Sequence, residues 1–244
     1  MPDTLRRGLV GGLAALAAAG FVALGVWQLQ RLAWKTDLIT QVETRIYAAP
    51  TLPPPPAEWR AVSARRDQYR RVRLTGRFLN DRETLVKAVT DLGPGDWVMT
   101  PLATDQGFTV LVNRGFVPAR EAPEPRVSWS RPSDPQTVTG LLRITEPGGG
   151  FLRANDPAAG RWYSRDVAAI AAARGLATPV APYFVDAEAA SGQDGWPRGG
   201  LTVVRFNNSH LVYALTWFAL ALLAAFAAVK FARRPTIKAD RRTP

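Results

Sequence analysis

Asn208-Ser209-His210-Leu211-Val212-Tyr213-Ala214-Leu215-Thr216-Trp217 stands at the head of an apolar run that continues to Val229. From Phe206 to Val229 no residue carries a formal charge unless His210 is protonated. About 20 such residues in a helix cross a bilayer, so residues 207–229 are predicted to form a transmembrane helix. His210 is the only histidine in 244 residues, and the chain has no cysteine. Chemistry that needs an imidazole is therefore confined to this point. At helical spacing His210, Tyr213 or Ala214, and Trp217 share a face. Two readings are open. The rings anchor the helix at headgroup level, or an ionisable group at the end of a span marks a functional site.

A second uncharged run covers residues 8–30 and is mostly Ala, Leu, Val and Gly. Its first 20 residues, 8–27, are predicted to be the other transmembrane helix. A retained anchor is expected rather than a cleaved signal peptide, because the run continues well past the small residues Ala17-Ala18-Ala19. Gly8 and Gly12 have the GxxxG spacing that allows close helix approach, by itself a weak signal. Beyond the span comes Gly25-Val26-Trp27-Gln28-Leu29-Gln30-Arg31-Leu32-Ala33-Trp34-Lys35. Trp27, Arg31 and Trp34 fall on one helical face. Trp27 suits the interfacial belt, and Arg31 faces either lipid phosphate or the carboxylates of a bound ligand. This helix is expected to run to about residue 48 and to stop before Pro50.

The formal charge of +11 suggests nucleic acid, but its distribution argues against it. Arg6 and Arg7 precede the first apolar run, and Lys230, Arg233, Arg234, Lys238, Arg241 and Arg242 follow the second. Two short basic tails satisfy the positive-inside rule, which makes tails 1–7 and 230–244 cytoplasmic. A nucleic-acid groove would need a denser basic stripe with interleaved aromatics. Without cysteine there are no disulfides, no thiolate metal sites and no c-type haem attachment.

Between the spans lie a juxtamembrane helix with a polyproline linker (28–56) and a β-rich domain (57–206). Pro53-Pro54-Pro55-Pro56 reads as a stiff spacer, and Pro56 opens a short helix over residues 57–64. Period-two alternation or β-rich composition then marks strands at 71–78, 83–90, 97–102, 108–117, 137–145, 183–187 and 201–206. A proline-rich loop spans 118–135. A helix is expected over 162–174, capped by Ser164 or Asp166 and stopped at Gly175. Asn113-Arg114-Gly115 and Asn155-Asp156-Pro157 look like strand-end and turn chemistry. The fold class is thus a membrane protein of α+β type, with two transmembrane helices flanking a mostly antiparallel β domain. The domain shows no GxGxxG, P-loop or GxSxG motif. With the one histidine in the second span, it cannot hold a Ser-His-Asp triad.

With both tails inside, residues 31–205 fall on the outer side, which in a bacterium is the periplasm. An Ala- and Arg-rich, Lys-poor composition fits a GC-rich bacterial genome. His210, Tyr213 and Trp217 then share a membrane depth with Trp27 and Arg31. An imidazole, aromatic walls, small residues and a rim cation suit a flat porphyrin with two propionates. His210 would ligate its iron and Arg31 would meet a propionate.

The segments 25–35 and 208–217, together with Asn113-Arg114-Gly115-Phe116-Val117-Pro118, Thr100-Pro101-Leu102 and Trp162-Tyr163-Ser164-Arg165-Asp166, resemble the surfeit locus protein 1 family. The likeness covers about residues 25–225, in order and at matching spacing. It departs from the family at Phe116, where Trp is frequent. The resemblance implies a two-span protein of the mitochondrial inner membrane or bacterial plasma membrane that helps assemble haem-copper terminal oxidases, chiefly cytochrome c oxidase of the respiratory chain. It further implies that haem a is bound as cargo by His210, taken from haem A synthase and delivered to oxidase subunit I. Composition cannot distinguish haem a from haem b, nor a cytochrome c from a quinol oxidase client.

The expectation is a haem-handling assembly factor embedded in membrane lipid, not an enzyme and not a partner of nucleic acid. Its candidate cofactor-binding residues are His210, Tyr213, Trp217, Trp27 and Arg31, with His210 on the iron. The alternative is a scaffold that binds no haem and whose periplasmic domain grips an oxidase subunit. A membrane-bound haem-modifying enzyme is disfavoured, because it would need several histidines or a redox partner.

Overall fold

The computed structural model describes residues 3–119, 132–150, 152–176, 179–189, 195–202 and 208–233. Two compact units make up the chain. One joins residues 1–40 with 205–244, and the other holds residues 41–204.

The first unit is a pair of helices, α1 (Asp3–Tyr47) and α4 (His210–Arg233). Both are long and apolar enough to cross a membrane. Between residues 11 and 28 the more shielded positions of α1 are Gly11, Ala14, Ala18, Phe21, Gly25 and Gln28. On α4 they include His210, Ala214, Trp217, Ala221, Ala224, Ala228 and Phe231. Both sets step by alternating threes and fours, the spacing of a left-handed helix seam. Small residues let the backbones approach. A methyl group on Gly25 would sit 2.6 Å from the Phe218 ring, and Gly11 faces the Ala228 carbonyl. Gly8 and Gly12, the GxxxG pair, have no such neighbour within 4 Å. The close approach is made by Gly11 and Gly25 instead.

The second unit is a β-barrel with additions. Its strands are β1 (Arg71–Phe78), β2 (Thr84–Thr90), β3 (Gly93–Thr104), β4 (Thr109–Pro118), β5 (Gln136–Ile144) and β8 (Val180–Ala187). A two-residue pair, β6 (Gly149–Gly150) and β7 (Arg153–Ala154), forms a separate ribbon. The order β1-β5-β8-β4-β3-β2 is closed by a further pairing of β1 with β3. All pairings in this sheet are antiparallel except β4 with β8. Closure depends on Gly76, where a Cβ would meet the Ala103 carbonyl oxygen at 2.1 Å.

Alternation along the strands sends one set of side chains inward and the other outward. Val72, Leu74, Phe108, Val110, Val112, Leu142, Tyr183 and Val185 form one buried cluster. Leu111, Phe184, Met99, Val86 and Trp162 form another, against helix α3 (Val167–Ala173). The polyproline segment is not a free spacer. Pro53 and Pro54 are buried, and the Pro54 carbonyl accepts hydrogen bonds from Tyr183 Oη at 2.8 Å and Trp59 Nε1 at 3.0 Å. Burial pushes the Tyr183 phenol well above its ordinary pKa, which keeps it the donor. Pro56 opens a 3-10 helix, Pro56–Ala61, and the short helix α2 (Ala64–Asp67) follows.

Two expectations change. The helix expected from residue 162 starts at Val167. Residues 163 and 164 are held in another conformation, their amides donating to Asn155 Oδ1 at 2.8 and 3.2 Å. Asp166 caps the helix by accepting from the Ala169 amide. Gly175, at φ +59, follows its last turn. Asn113-Arg114-Gly115 lies within β4, not at a strand end. Leu201 and Thr202 are not in a strand, and the rest of the strand expected at 201–206, most of loop 118–135 and the first residue of the span at 207–229 lie outside the described residues.

Trp162 is a fully buried side chain of the second cluster. Trp162→Ala is expected to destabilise the domain by about 3–5 kcal/mol, read as a lower denaturation midpoint by circular dichroism. A loss below about 1 kcal/mol would contradict this packing.

Candidate functional site

Two polar groups face each other in the helix seam. His210 Nδ1 lies 2.7 Å from Gln28 Oε1. Gln28 is 9% exposed, and the other shielded α1 positions from Gly11 to Gly25 are apolar or glycine. With an amide oxygen as acceptor, Nδ1 carries the proton. The Nε2 lone pair is then left as the imidazole's only acceptor. The side-chain oxygen of Asn208, two residues earlier, is buried without a hydrogen-bond partner among the described residues.

Of the residues expected at this site, the structure brings some together and not others. Trp217 faces α1 and stacks on Phe21, ring centroids 5.6 Å apart and planes 26° from parallel. Tyr213 is 56% exposed and Trp27 50% exposed, so both point away from the seam. Arg31 lies over the Trp34 ring, 4.5 Å from its centroid. The immediate neighbour of the imidazole is thus Gln28, not Trp27 or Arg31. The sequence alone assigns Gln28 no role. Its signal was positional: Phe21, Gly25 and Gln28 continue the seam spacing of Ala14 and Ala18.

Among the described residues no group of three His, Cys, Asp or Glu could hold a metal ion. One imidazole cannot enclose a bare cation, which for zinc takes four ligands. It does suit a metal that brings its other ligands in a macrocycle. The chemistry of the one imidazole is compatible with such a group.

The domain concentrates its charged groups elsewhere. Asp186, 4% exposed, accepts from Asn113 Nδ2 (2.8 Å), Arg143 Nη1 (2.7 Å), Arg165 Nη1 (3.2 Å) and Thr202 Oγ1 (2.9 Å). Arg165 also pairs with Glu146 at 2.5 Å and lies over the Phe184 ring. Burial alone would lower the Arg165 pKa. The Glu146 hydrogen bond and the charges of Asp186 and Glu146 outweigh that, and the guanidinium is held above its ordinary value. Gly115, at φ +137, leaves room for the Arg198 backbone, whose carbonyl a Cβ would meet at 2.2 Å. Two cations balance two carboxylates here, with each partner fixed by several bonds. Such a network holds strands together.

Asp186→Ala would take from Arg143 the carboxylate it bonds at 2.7 Å and leave it only Glu146 at 3.8 Å, shared with Arg165, at an expected cost of about 3–5 kcal/mol. Glu188→Ala, which removes the carboxylate of the more exposed Arg71 pair, should cost clearly less, because solvent screens that pair. Equal losses in thermal or urea denaturation would refute the distinction.

The SURF1 family model matches residues 15–222. Surfeit locus protein 1 of Mus musculus is 35% identical over 241 residues, covering 91% of this chain and 76% of its own length. The Homo sapiens protein of that name is 34% identical over 222 residues, covering 83% of this chain and 71% of its own. The Takifugu rubripes protein is 32% identical over 231 residues, covering 86% and 92%.

Proposed function

The chain belongs to the SURF1 family, and from that premise we propose that it is an assembly factor for a haem-copper terminal oxidase, binding haem a as cargo in the membrane and passing it on during maturation of subunit I. The observation that carries the proposal is the state of the chain's one imidazole. Nδ1 is occupied by Gln28 Oε1 at 2.7 Å, and Nε2 is the nitrogen left to bind iron.

His210 would hold the haem iron through Nε2. Tyr213 and Trp217 stand on the same helix, one and two turns further on, and offer ring surface. Trp27 and Arg31 stand one residue before and three after Gln28 on α1, and the Arg31 guanidinium is the cation for a propionate. Haem supplies its own four equatorial nitrogens, so one protein bond suffices to hold it. A single exchangeable bond is what a carrier needs. Two imidazoles would hold the cargo against its release. The donor of the haem would be haem A synthase and the acceptor subunit I. No enzymatic step is required of the chain.

The membrane in question is the bacterial plasma membrane. Arg6 and Arg7 precede one apolar helix, and Lys230 and Arg233 close the other. This asymmetry supports an orientation with both termini in the cytoplasm and the barrel domain in the periplasm. An alkaline phosphatase domain inserted at Ala49 should be active, and one fused to either terminus inactive. Active terminal fusions would reverse the orientation.

His210→Ala, purified as the intact protein from cells that make haem A, should lose most of its haem and lower the yield of assembled oxidase. A full complement of haem with an unchanged visible spectrum would remove His210 as the ligand. Normal oxidase assembly by a haem-free variant would favour the scaffold reading.

A further inference from the structure

We infer that Gln28 is a positioning residue for the iron ligand: it fixes the tautomer and ring angle of His210 and sets how strongly Nε2 binds. The inference rests on the haem-binding reading above and extends it to a residue on the other helix.

In the seam from Gly11 to Gln28, the α1 side offers glycine, alanine, phenylalanine and then one amide. The opposite side offers alanine and aromatic residues and, at its first position, one imidazole. Each of these two groups is the other's polar partner, at 2.7 Å. An imidazole that moved freely would divide its proton between two nitrogens and its ring among several angles. The amide oxygen holds the proton on Nδ1 and aims Nε2 at a fixed direction. Histidines that bind metals commonly donate their second nitrogen in this way, and the acceptor tunes ligand basicity.

The choice of acceptor matters. A carboxylate would draw the Nδ1 proton further and make the imidazole a stronger donor to iron. Leucine would release the ring and weaken it. An amide lies between the two, neutral in the apolar seam and moderate in its pull. This intermediate strength suits a ligand that must hold haem and then let it go. The same bond aligns α1 with α4, because a shift of one residue along either helix would leave both groups unpaired.

The test uses the full chain in detergent, loaded with haem a by co-expression with haem A synthase, and compares wild type with Gln28→Leu, Gln28→Glu and His210→Ala. Circular dichroism and yield report folding. The readouts are haem dissociation, the iron–histidine stretching frequency of the ferrous form, and the midpoint potential. Gln28→Leu should weaken haem binding by about 10–100-fold and lower the stretching frequency. Gln28→Glu should restore binding, raise the frequency above wild type and move the potential negative. If His210→Ala loses haem while Gln28→Leu keeps wild-type dissociation and frequency, the positioning role is wrong and the ligand reading stands. If both Gln28 variants lose haem alike, without ordered shifts, Gln28 serves only to pack the helices and the inference fails. If His210→Ala retains haem with its spectrum unchanged, the ligand reading fails and takes the inference with it.

Discussion

An amide enclosed in an apolar seam needs a partner, because a buried donor or acceptor left alone costs about 1–3 kcal/mol. Gln28 meets that need through His210. The rest of the helix pair follows from the same bond. Gly25, one turn before Gln28, must be glycine for the Phe218 ring to fit against it, and Phe21 must face Trp217 two turns from His210. Dispersion between small residues brings the two helices close but is tolerant of sliding. The polar pair is not, since a one-residue slip would bury both groups unpaired.

The barrel solves a different problem. With no cysteine to staple it, the domain relies on its interior and on ion pairs that tie strands together. Asp186 on β8 collects Asn113 from β4, Arg143 from β5 and Arg165 from the approach to α3. Segments that a motif search singles out in this domain, around Asn113 and Trp162, are therefore accounted for by architecture. The imidazole lies outside the domain altogether. The helix pair with its imidazole and the barrel with its balanced charges are separate units.

Much of this was legible in the amino-acid order. Apolar runs without charge marked both long helices, and strict alternation in Arg71-Val72-Arg73-Leu74 marked the first strand. Gly175 and Asp166 bounded α3 as stop and cap. What stayed hidden were pairings between distant segments. Nothing local says that β8 runs parallel to β4, or that β1 leaves β5 to join β3 at Gly76. The start of α3 was misplaced because Asn155, seven residues before Trp162, satisfies amides that a helix would otherwise have used. At the candidate site the single histidine was evident, since it is unique. Its partner was not, because one glutamine between a tryptophan and an arginine draws no notice until the neighbouring helix shows which way it faces.

The placement of β8 also governs when the domain can come into being. β8 lies between β5 and β4, and its partner residues Thr109 and Val180 are far apart in the chain. As the polypeptide is made, β4 and β5 emerge early and must wait, each with a bare edge, for residues 180–187. Exposed strand edges of this kind invite pairing with other chains, and distant pairings form slowly. The barrel is therefore sealed late and as a whole, by the last of its staves to be synthesised. During that interval its two waiting edges are the most vulnerable part of the molecule.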